Sequence, residues 1–393
     1  MKICHTLVPI LLLLLIGCKN QNSNEYGKIV VDVSQADYVL TEDFASDVKL
    51  IPLELTKSSA ISNVTQLIVF EGTIIVFDKF QSKIFIFNDS GKFQFAIDNK
   101  GQGPAEYSSA NSIRLYGKDH LIIIHDQITG RFLIYNAVDG EFIRSLKVPY
   151  IIEDFVPTED GFILFSPFEQ NINPETNRLI DYGVFLVDTD GHFKRHILTI
   201  GASDSQMLGP NFIQNVCVNN GIYFLPTFWD TIYVYGDRSF EVKYSIDFGK
   251  NSLPDKYRYS DYSVEENLLR LLDTDFVHSK FNLLCEDEFI YFTYAIKYEG
   301  FGALYIKSNQ EVYCMKRILD SFNKLLLTPP SAVFSGSLYG ALYPDQRDLF
   351  IQDLAHTNRL PQSQVDQYKD SINEKFSDID SNPIIYRLTV KTN

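Results

Sequence analysis

The sequence is poor in basic residues and in long apolar runs. It contains 35 Lys and Arg against 50 Asp and Glu in 393 residues, which gives a net charge of −15. Binding to phosphates needs clustered basic side chains, so this deficit argues against a nucleic-acid partner. After residue 16, no apolar run reaches the roughly 20 residues that a membrane-spanning helix requires.

Motifs of the common catalytic and metal-binding classes are also missing. The five cysteines show no CxxC spacing, which argues against a zinc or thioredoxin-type site. The sequence has no Gly-x-Ser-x-Gly motif, no Gly-rich phosphate loop and no complete EF-hand loop. We therefore expect neither a metal nor another cofactor, and the Asp-rich turns are accounted for by turn geometry.

What the sequence does contain is aromatic residues. Hydrophobic residues make up 45% of the chain and aromatic residues 14%, with 23 Tyr, 30 Phe and a single Trp. This composition argues against a mostly disordered chain, which could not bury enough apolar surface to fold. Because aromatic rings favour pleated, half-buried strands, the composition indicates a β-rich protein.

The N-terminus is typical of a secretory signal. Lys2 precedes the apolar core Leu7–Ile16, and the following Leu15-Ile16-Gly17-Cys18 resembles the lipobox of bacterial lipoproteins. The resemblance implies that residues 1–17 are a signal peptide, and that Cys18 becomes the acylated first residue and holds the protein on a membrane. An ordinary signal peptide that happens to contain a Cys is the alternative.

Residues 18–47 are then expected to be a tether and N-terminal segment. The stretch Lys19–Glu25 is polar and has the composition of a linker. Some related lipoproteins carry an acidic cluster after the Cys that directs them to the cell surface, whereas here only Glu25 is acidic. We therefore expect a location in the cell envelope, on the outer membrane, with the periplasmic side favoured over the cell surface.

From Val48 onward the chain is a succession of short apolar runs separated by turn residues. In the first unit four strands are predicted, and the order recurs with a period near 50 residues, as in propeller blades. The four strands are Val64–Phe70, Thr73–Asp78, Lys83–Asn88 and Lys92–Asp98. Gly72 and Gly91 lie in the turns between them, where a positive φ closes antiparallel hairpins.

Two helical insertions and a ring closure complete this prediction. Ser263 begins a capping box before a short leucine-rich helix, and Pro361–Phe376 has an apolar helical stripe formed by Val365, Tyr368, Ile372 and Phe376. Six units lack one strand at the C-terminus and have a spare one at Val48–Leu55, which could complete the last blade. The predicted fold is therefore all-β, a six-bladed β-propeller of four-stranded antiparallel blades over residues 48–393, closed by an N-terminal strand. Rings of five or seven blades remain as alternatives.

One motif after the first unit carries a family resemblance. The stretch Lys100-Gly101-Gln102-Gly103-Pro104-Ala105-Glu106-Tyr107 resembles the G-x-G-P-G-E-[FY] link of six-bladed β-propeller lipoproteins common in Bacteroidota, which are similar in architecture to NHL-repeat propellers. Their opening strand resembles Val48–Glu54, and a degraded echo of the motif follows at Gly209-Pro210. Ala105 departs from the Gly that the family prefers, which puts a direct role for that peptide in doubt. The resemblance implies the propeller fold and no general reaction.

The motif has two interpretations. Gly101, Gly103 and Pro104 suit a tight connection between blades, because glycine permits unusual φ and proline fixes the next turn. Alternatively, the motif places Gln102, Glu106 and Tyr107 at the mouth of the central channel. Exposed aromatic rings at such a mouth would suit a sugar ring; the candidates are Tyr107, Tyr116, Tyr150, Trp229 and Tyr257.

The histidines and cysteines point to no reaction. His120 and His125 alternate across one strand, and about 13 Å of extended strand separates His192 from His196, so neither pair predicts a metal site. Cys285 and Cys314 could pair across neighbouring strands in an oxidising compartment, or stay buried thiols. We therefore expect no catalytic residue and a monomeric binding module for a glycan, peptide or envelope protein. The alternative is an envelope glycan hydrolase or lyase whose active site is assembled from several blades at the axis.

Overall fold

Alternating apolar runs and turns form mostly antiparallel strands in the part of the chain that the computed structural model describes, residues 26–166, 169–200, 215–258 and 264–392. Four elements come first: β1 (Gly27–Val30), β2 (Asp37–Leu40), the short helix α1 (Thr41–Phe44) and β3 (Ala45–Pro52). Short 3-10 turns lie at Val33–Gln35, Gly117–Asp119, Gly249–Asn251 and Pro344–Gln346.

The first three blades are antiparallel sheets of four strands in sequence order. Blade 1 contains β4 (Gln66–Phe70), β5 (Thr73–Asp78), β6 (Lys83–Asn88) and β7 (Phe93–Ile97). Blade 2 contains β8 (Ala110–Tyr116), β9 (Leu121–Asp126), β10 (Arg131–Asn136) and β11 (Phe142–Lys147). Blade 3 contains β12 (Asp154–Thr158), β13 (Gly161–Ser166), β16 (Gly183–Val187) and β17 (Phe193–Thr199), with an inserted hairpin of β14 (Asn171–Ile172) and β15 (Leu179–Ile180).

The other three blades have the same plan with additions. Blade 4 contains β18 (Val216–Val218), β19 (Ile222–Phe224), β20 (Thr231–Gly236) and β21 (Ser239–Asp247). Blade 5 contains β22 (Val277–Cys285), β23 (Phe289–Ile296), β24 (Glu299–Ile306) and β25 (Val312–Asp320), with β26 (Leu325–Leu327) paired to β25. Blade 6 contains β27 (Ala332–Phe334), β28 (Ser337–Leu342), β29 (Ile384–Val390) and β3. The predicted six-bladed propeller is therefore confirmed.

Four further helices lie between strands in the part of the chain that the structure describes. They are α2 (Asp255–Arg258) and α3 (Val264–Leu271) before blade 5, and α4 (Arg347–Leu354) and α5 (Gln362–Lys375) inside blade 6. The stripe predicted for Pro361–Phe376 is confirmed, because Val365, Tyr368, Ile372 and Phe376 are all buried in the core between blades 5 and 6. Ser263, the predicted helix cap, lies outside the described residues.

The N-terminal strand β3 closes the ring. It pairs antiparallel with β29, in a register that joins Pro52 to Ile384 and Val48 to Leu388. The turn before β7 packs against this strand: Gly91 has φ of 81°, and a Cβ there would lie 2.1 Å from the Pro52 carbonyl oxygen. Only glycine fits this turn, because a side chain would be strained by the backbone angle and would collide with the closing strand.

The segment before β3 also belongs to the propeller surface. Strand β1 pairs parallel with β21 on the outer edge of blade 4, and β2 pairs parallel with β25 on the outer edge of blade 5. Ile29, Val31 and Tyr38 are buried by this pairing. Among the described residues, the first strand begins at Gly27, within the segment 18–47 expected to be a tether and N-terminal segment, and the domain boundary at residue 48 stays a prediction.

Among the described residues, six apolar clusters each fill the gap between two neighbouring blades, and a seventh, smaller one surrounds Phe228 beside α3. For example, one joins Ile51 of blade 6 to Val76 of blade 1, and another joins Val156 of blade 3 to Phe224 of blade 4. The remaining four occupy the gaps between blades 1 and 2, 2 and 3, 4 and 5, and 5 and 6. Burial of apolar surface between blades therefore holds the ring together.

Within the described residues, the helices are too short and too polar for any of them to cross a membrane.

Candidate functional site

The first strand of every blade lies at the axis of the ring. Strand β4 contacts β8 and β27, β8 contacts β12, and β22 contacts both β18 and β27. These six inner strands surround a cavity of about 380 Å³, which we call the axial cavity. Its lining includes Leu67 and Val69 of β4, Leu115 of β8, Pro157 of β12, Val218 of β18, Leu284 of β22 and Val333 of β27.

Polar groups interrupt this mostly apolar lining at a few positions. Gln66 uses its side-chain Oε1 to accept a hydrogen bond from the Ile113 amide at 2.9 Å, which ties blade 1 to blade 2. Asn219 and Asn220 lie in the turn after β18, where Asn219 Nδ2 donates to the Cys285 carbonyl at 3.1 Å. An apolar cavity with a few fixed polar groups is typical of a binding site for a small ligand.

Arg114 is the only Lys, Arg, Asp or Glu among the described residues that line the axial cavity. Its guanidinium forms an ion pair with Asp154, and its Nε also donates to the Phe155 carbonyl at 3.1 Å. The side chains are 15% and 7% exposed. Burial raises the pKa of Asp154 above its ordinary value, and the neighbouring Arg114 opposes that rise. The positive charge of Arg114 at the cavity is thus largely balanced by the Asp154 carboxylate behind the lining.

A second buried carboxyl lies close to the cavity. Glu286 follows β22, is 8% exposed, and interacts with the side chain of Asn219. Burial raises the pKa of Glu286 above its ordinary value. A carboxyl with a raised pKa can act as a general acid, although Glu286 does not itself line the axial cavity.

Aromatic rings do lie at one end of the cavity, but they are not those expected from the sequence. Phe70 and Phe334 both line it, with ring centroids 5.7 Å apart, and His120 packs 6.0 Å from Phe70. Gly117 makes this arrangement possible, because a Cβ there would lie 2.7 Å from the Phe70 ring. Both phenylalanines end inner strands, and only the arrangement of strands around the axis reveals that position.

The predicted motif forms the link between blades 1 and 2. Glu106 Oε2 accepts from the Gly103 amide at 2.8 Å, and a Cβ on Gly101 would lie 1.9 Å from the same oxygen. Two backbone hydrogen bonds, from Gly101 to Tyr107 and from Tyr107 to Asn99, fold the link back on itself. The glycines are therefore needed for space around the Glu106 carboxylate rather than for a positive φ.

The motif is also tied to the blades on either side. Tyr107 is fully buried and donates from its hydroxyl to the Ser82 carbonyl at 2.6 Å, in blade 1. From blade 2, Tyr135 donates to the Ala105 carbonyl at 2.6 Å, and Arg131 donates to the Glu106 carbonyl at 3.0 Å. These contacts give the motif a place in blade packing, and none of residues 101–107 lines the axial cavity. Ligand contact at Gln102, Pro104 or Glu106 stays a prediction.

The other aromatic candidates lie away from the axial cavity. Tyr150 is buried and donates to the Gly191 carbonyl at 3.3 Å, and Tyr116 packs against the core between blades 2 and 3. Trp229 and Tyr257 pack around Phe228, next to α3. The structure thus places all four against protein rather than in the cavity. The echo at Gly209-Pro210 lies outside the described residues.

The described histidines are dispersed. The side chains of Asp188, Asp190 and His192 converge at an exposed turn, with one ligand atom from each within 4.8 Å of the others. Asp188 Oδ1 accepts from the amides of Asp190 and His192, at 3.0 and 2.9 Å, and these bonds by themselves explain the turn. The sequence-based expectation that the protein has no metal stays a prediction.

Of the two alternatives left open for Cys285 and Cys314, the structure shows buried thiols and not a disulfide. In the sheet of blade 5, β23 and β24 separate the β22 strand of Cys285 from the β25 strand of Cys314. Three strand spacings amount to about 14 Å, well beyond the reach of a disulfide. Both residues are free and buried. Cys18, the predicted lipidation site, lies outside the described residues.

Comparison with known proteins gives a family and a shared architecture. A family model described as "Domain of unknown function (DUF4934)" matches residues 28–389. The chain matches no curated protein. Among solved structures it is similar to one from Bacteroides fragilis NCTC 9343 whose name suggests an exported protein, with 17% identity over 93% of this chain and 99% of that chain, and a TM-score of 0.71.

Two further solved structures are more distant. One is a member of the duf4221 family from Bacteroides vulgatus ATCC 8482, with 10% identity over 89% of this chain and 98% of that chain, and a TM-score of 0.47. The other is a streptogramin B lyase, with 12% identity over 75% of this chain and 79% of that chain, and a TM-score of 0.35. At these scores neither carries an argument about function.

Proposed function

The chain belongs to the DUF4934 family, and from that premise we propose that it is a lipid-anchored binding module of the cell envelope that takes its ligand into the axial cavity. The observation that carries the proposal is the axial cavity itself, because all six blades contribute to it. Its volume of about 380 Å³ suits a small molecule or the end of a larger chain.

The lining favours binding over catalysis. Glycoside cleavage needs two carboxyl groups on opposite sides of the scissile bond. Among the described residues, the lining offers no carboxyl group, and Arg114 is already paired with Asp154. The apolar walls and the rings of Phe70 and Phe334 suit a ligand with an apolar face, such as a sugar ring or an apolar side chain of a peptide.

Filling the cavity should abolish binding. Val218 is 49% exposed and lines the axial cavity, so Val218→Trp should occupy that space with little effect on the core. We expect the affinity for anilinonaphthalene sulfonate, an apolar anionic probe, to fall at least about tenfold in a fluorescence titration. Short envelope glycans and peptides that raise the melting temperature of the wild type should not raise that of Val218→Trp.

Val138→Trp is the matched control. Val138 is 69% exposed in the last turn of blade 2, and it does not line the cavity. This variant should bind the probe as the wild type does. Unchanged binding by Val218→Trp would contradict the axial site.

An enzyme would reveal itself differently. If the purified protein cleaved an envelope glycan, and if Glu286→Gln or Arg114→Gln abolished cleavage without lowering the melting temperature, the binding module would be refuted in favour of a hydrolase or lyase. Glu286 is the informative position because burial raises its pKa.

The proposed location rests on the N-terminal sequence. A lipobox ending at Cys18, followed by a polar linker, supports acylation and retention on a membrane. The name of the structural relative from Bacteroides fragilis, which suggests export, agrees with an envelope location. We propose the outer membrane, with the propeller facing the periplasm.

Cys18→Ala tests the anchor. The variant should move from the membrane fraction to the soluble fraction on cell fractionation, because the acyl chains attach at that thiol. Cys4→Ala is the control, since Cys4 lies inside the predicted signal peptide and should leave partitioning unchanged. Continued membrane association of Cys18→Ala would refute lipidation.

A further inference from the structure

Two free cysteines meet between blades 4 and 5. Cys217 lies in β18 and Cys285 ends β22, and both belong to the apolar cluster that joins these blades. The Cys285 amide donates to Cys217 Sγ at 3.2 Å, and Cys217 Sγ lies 3.9 Å from the Cys285 carbonyl oxygen. The Cys217 sulfur thus lies directly against the backbone of Cys285.

The turns that follow the two cysteines hold this approach in place. Asn219 Nδ2 donates to the Cys285 carbonyl at 3.1 Å, and Asn220 Nδ2 donates to Asp287 Oδ2 at 2.9 Å. The inner strands β18 and β22 are in direct contact. Because the Cys217 sulfur already lies 3.2 Å from the Cys285 backbone nitrogen, we expect a bond between the two sulfurs to need side-chain rotation rather than movement of a blade.

The two thiols differ in exposure to the cavity and in their surroundings. Cys217 lines the axial cavity, whereas Cys285 does not. Hydrogen bonds from the Cys285 thiol and amide lower the pKa of Cys217, and burial raises the pKa of Cys285 well above its ordinary value. A small reagent in the cavity therefore meets Cys217 first, and Cys217 is the better nucleophile of the two.

We propose that Cys217 and Cys285 form a disulfide between blades 4 and 5 when the protein meets a small-molecule disulfide. The Cys217 thiolate attacks one sulfur of that disulfide and releases its other half as a thiol. Cys285 then loses its proton and attacks the sulfur of Cys217 in the mixed disulfide, which releases the second half. Two protein thiols are oxidised, one external disulfide is reduced to two thiols, and the two protons end on the released thiols.

The bond would join positions 68 residues apart at the wall of the axial cavity. It would bridge the long connection between blades 4 and 5, which contains two short helices and no strand among its described residues. Closing a loop of this length stabilises a protein mainly by restricting its unfolded state. We expect the melting temperature to rise by about 5 °C on oxidation.

Oxidised glutathione and tryptic mapping test the proposal on the full chain. After oxidation, alkylation and digestion without reductant, we expect the peptide 196–238 to be linked to the peptide 281–297. The peptide 308–316, which contains Cys314, should carry the alkylating label after unfolding and is the internal control. Reductant should separate the linked peptides and reverse the rise in melting temperature.

Two results would overturn the proposal: free Cys217 and Cys285 after oxidation of a protein that remains folded, or linkage of either one to another cysteine. Cys217→Ala and Cys314→Ala provide a second measurement. The first should abolish the rise in melting temperature and the second should retain it. The proposed envelope location matters here only as the source of an oxidant. If the proposed envelope location were wrong, the partitioning of Cys18→Ala would show it, independently of the peptide map.

Discussion

At the scale of single residues, the interior of this propeller tolerates polar side chains in two ways. Arg114 and Asp154 pair with each other, and the Phe155 backbone adds two hydrogen bonds: its carbonyl accepts from Arg114 Nε and its amide donates to Asp154 Oδ1. His125 is buried in a different way, among aromatic rings. It is fully buried beside the rings of Phe132 and Phe155, and neither ring nitrogen has a hydrogen-bond partner among the described residues. Burial lowers the pKa of His125 to about 4, and the nearby Asp126 opposes this.

This environment predicts a pH-dependent stability. The unfolded chain takes up a proton at His125 near pH 6.5 and the folded protein only near pH 4, so the free energy of unfolding falls as the pH drops through that window. At pH 5 the loss should be about 2 kcal/mol relative to pH 8. Urea unfolding of the wild type and of His125→Phe at both pH values measures this loss of stability. The variant should lack the part of the loss that comes from protonation of His125.

His192→Gln is the control for the same experiment. Its ring is 52% exposed, so its removal should leave the pH dependence close to that of the wild type. A wild-type pH dependence in His125→Phe would show that another group is responsible.

At the scale of elements, the link between blades 1 and 2 shows how a motif can be informative without being at the cavity. The sequence separates its two interpretations poorly, since glycine and proline suit both a tight link and a ligand loop. The contacts of Glu106 with the Gly103 amide and of Tyr107 with Ser82 explain the residue types by packing. Gln102 and Pro104 are the motif residues that these contacts leave without an explanation.

Gly101→Ala should therefore destabilise the link. Its Cβ would lie 1.9 Å from Glu106 Oε2, so the carboxylate must leave its hydrogen bond with Gly103. We expect a loss of about 2 kcal/mol in the free energy of unfolding, measured by urea titration. Gly236→Ala is the matched control, because nothing lies within 4 Å of a Cβ at that position.

The double variant Gly101→Ala/Glu106→Ala makes this prediction specific. If the collision with the carboxylate is the cause, the double variant should lose less stability than the sum of its two single variants. Strict additivity would contradict the mechanism.

At the scale of the whole molecule, the N-terminal chain holds three blades together. It adds β1 to blade 4 and β2 to blade 5, and it then completes blade 6 with β3. Each addition covers an outer edge whose backbone groups would otherwise be free to pair with another chain. The ring is thus closed by hydrogen bonds between residues more than 300 positions apart.

A truncation series tests these contributions separately. A chain that begins at residue 26 should melt as the full chain does. A chain that begins at residue 43 lacks β1 and β2 and loses the burial of Ile29, Val31 and Tyr38, so it should be less stable by about 3 kcal/mol or more. A chain that begins at residue 54 lacks the closing strand and should aggregate or melt without cooperativity.

Near-ultraviolet circular dichroism and size-exclusion chromatography distinguish these outcomes. Full stability of the chain that begins at residue 54 would show that closure by β3 is dispensable. Full stability of the chain that begins at residue 43 would support the domain boundary expected at residue 48.

Much of the fold was predictable because strand signals are local. The runs Thr73–Asp78 and Lys83–Asn88 are strands at the predicted bounds, since apolar residues and turn residues specify a hairpin within about ten positions. The closing strand could be inferred by counting predicted strands, because a last blade with only three strands implies that a strand from elsewhere in the chain completes it. The parallel strands β1 and β2 could not be inferred, because each is only four residues long and its partner lies far along the chain.

The candidate site, in contrast, could not be predicted from local signals. Its residues come from six strands that are distant in sequence, so no spacing along the chain connects Phe70 with Phe334 or Cys217 with Cys285. Local patterning of apolar and turn residues was enough to predict the blades, since each hairpin is stabilised by its immediate neighbours, whereas the number six was decided against five or seven only by the closed ring. Which side chains meet at the axis depends on the curvature and closure of the ring, and these arise from packing between blades.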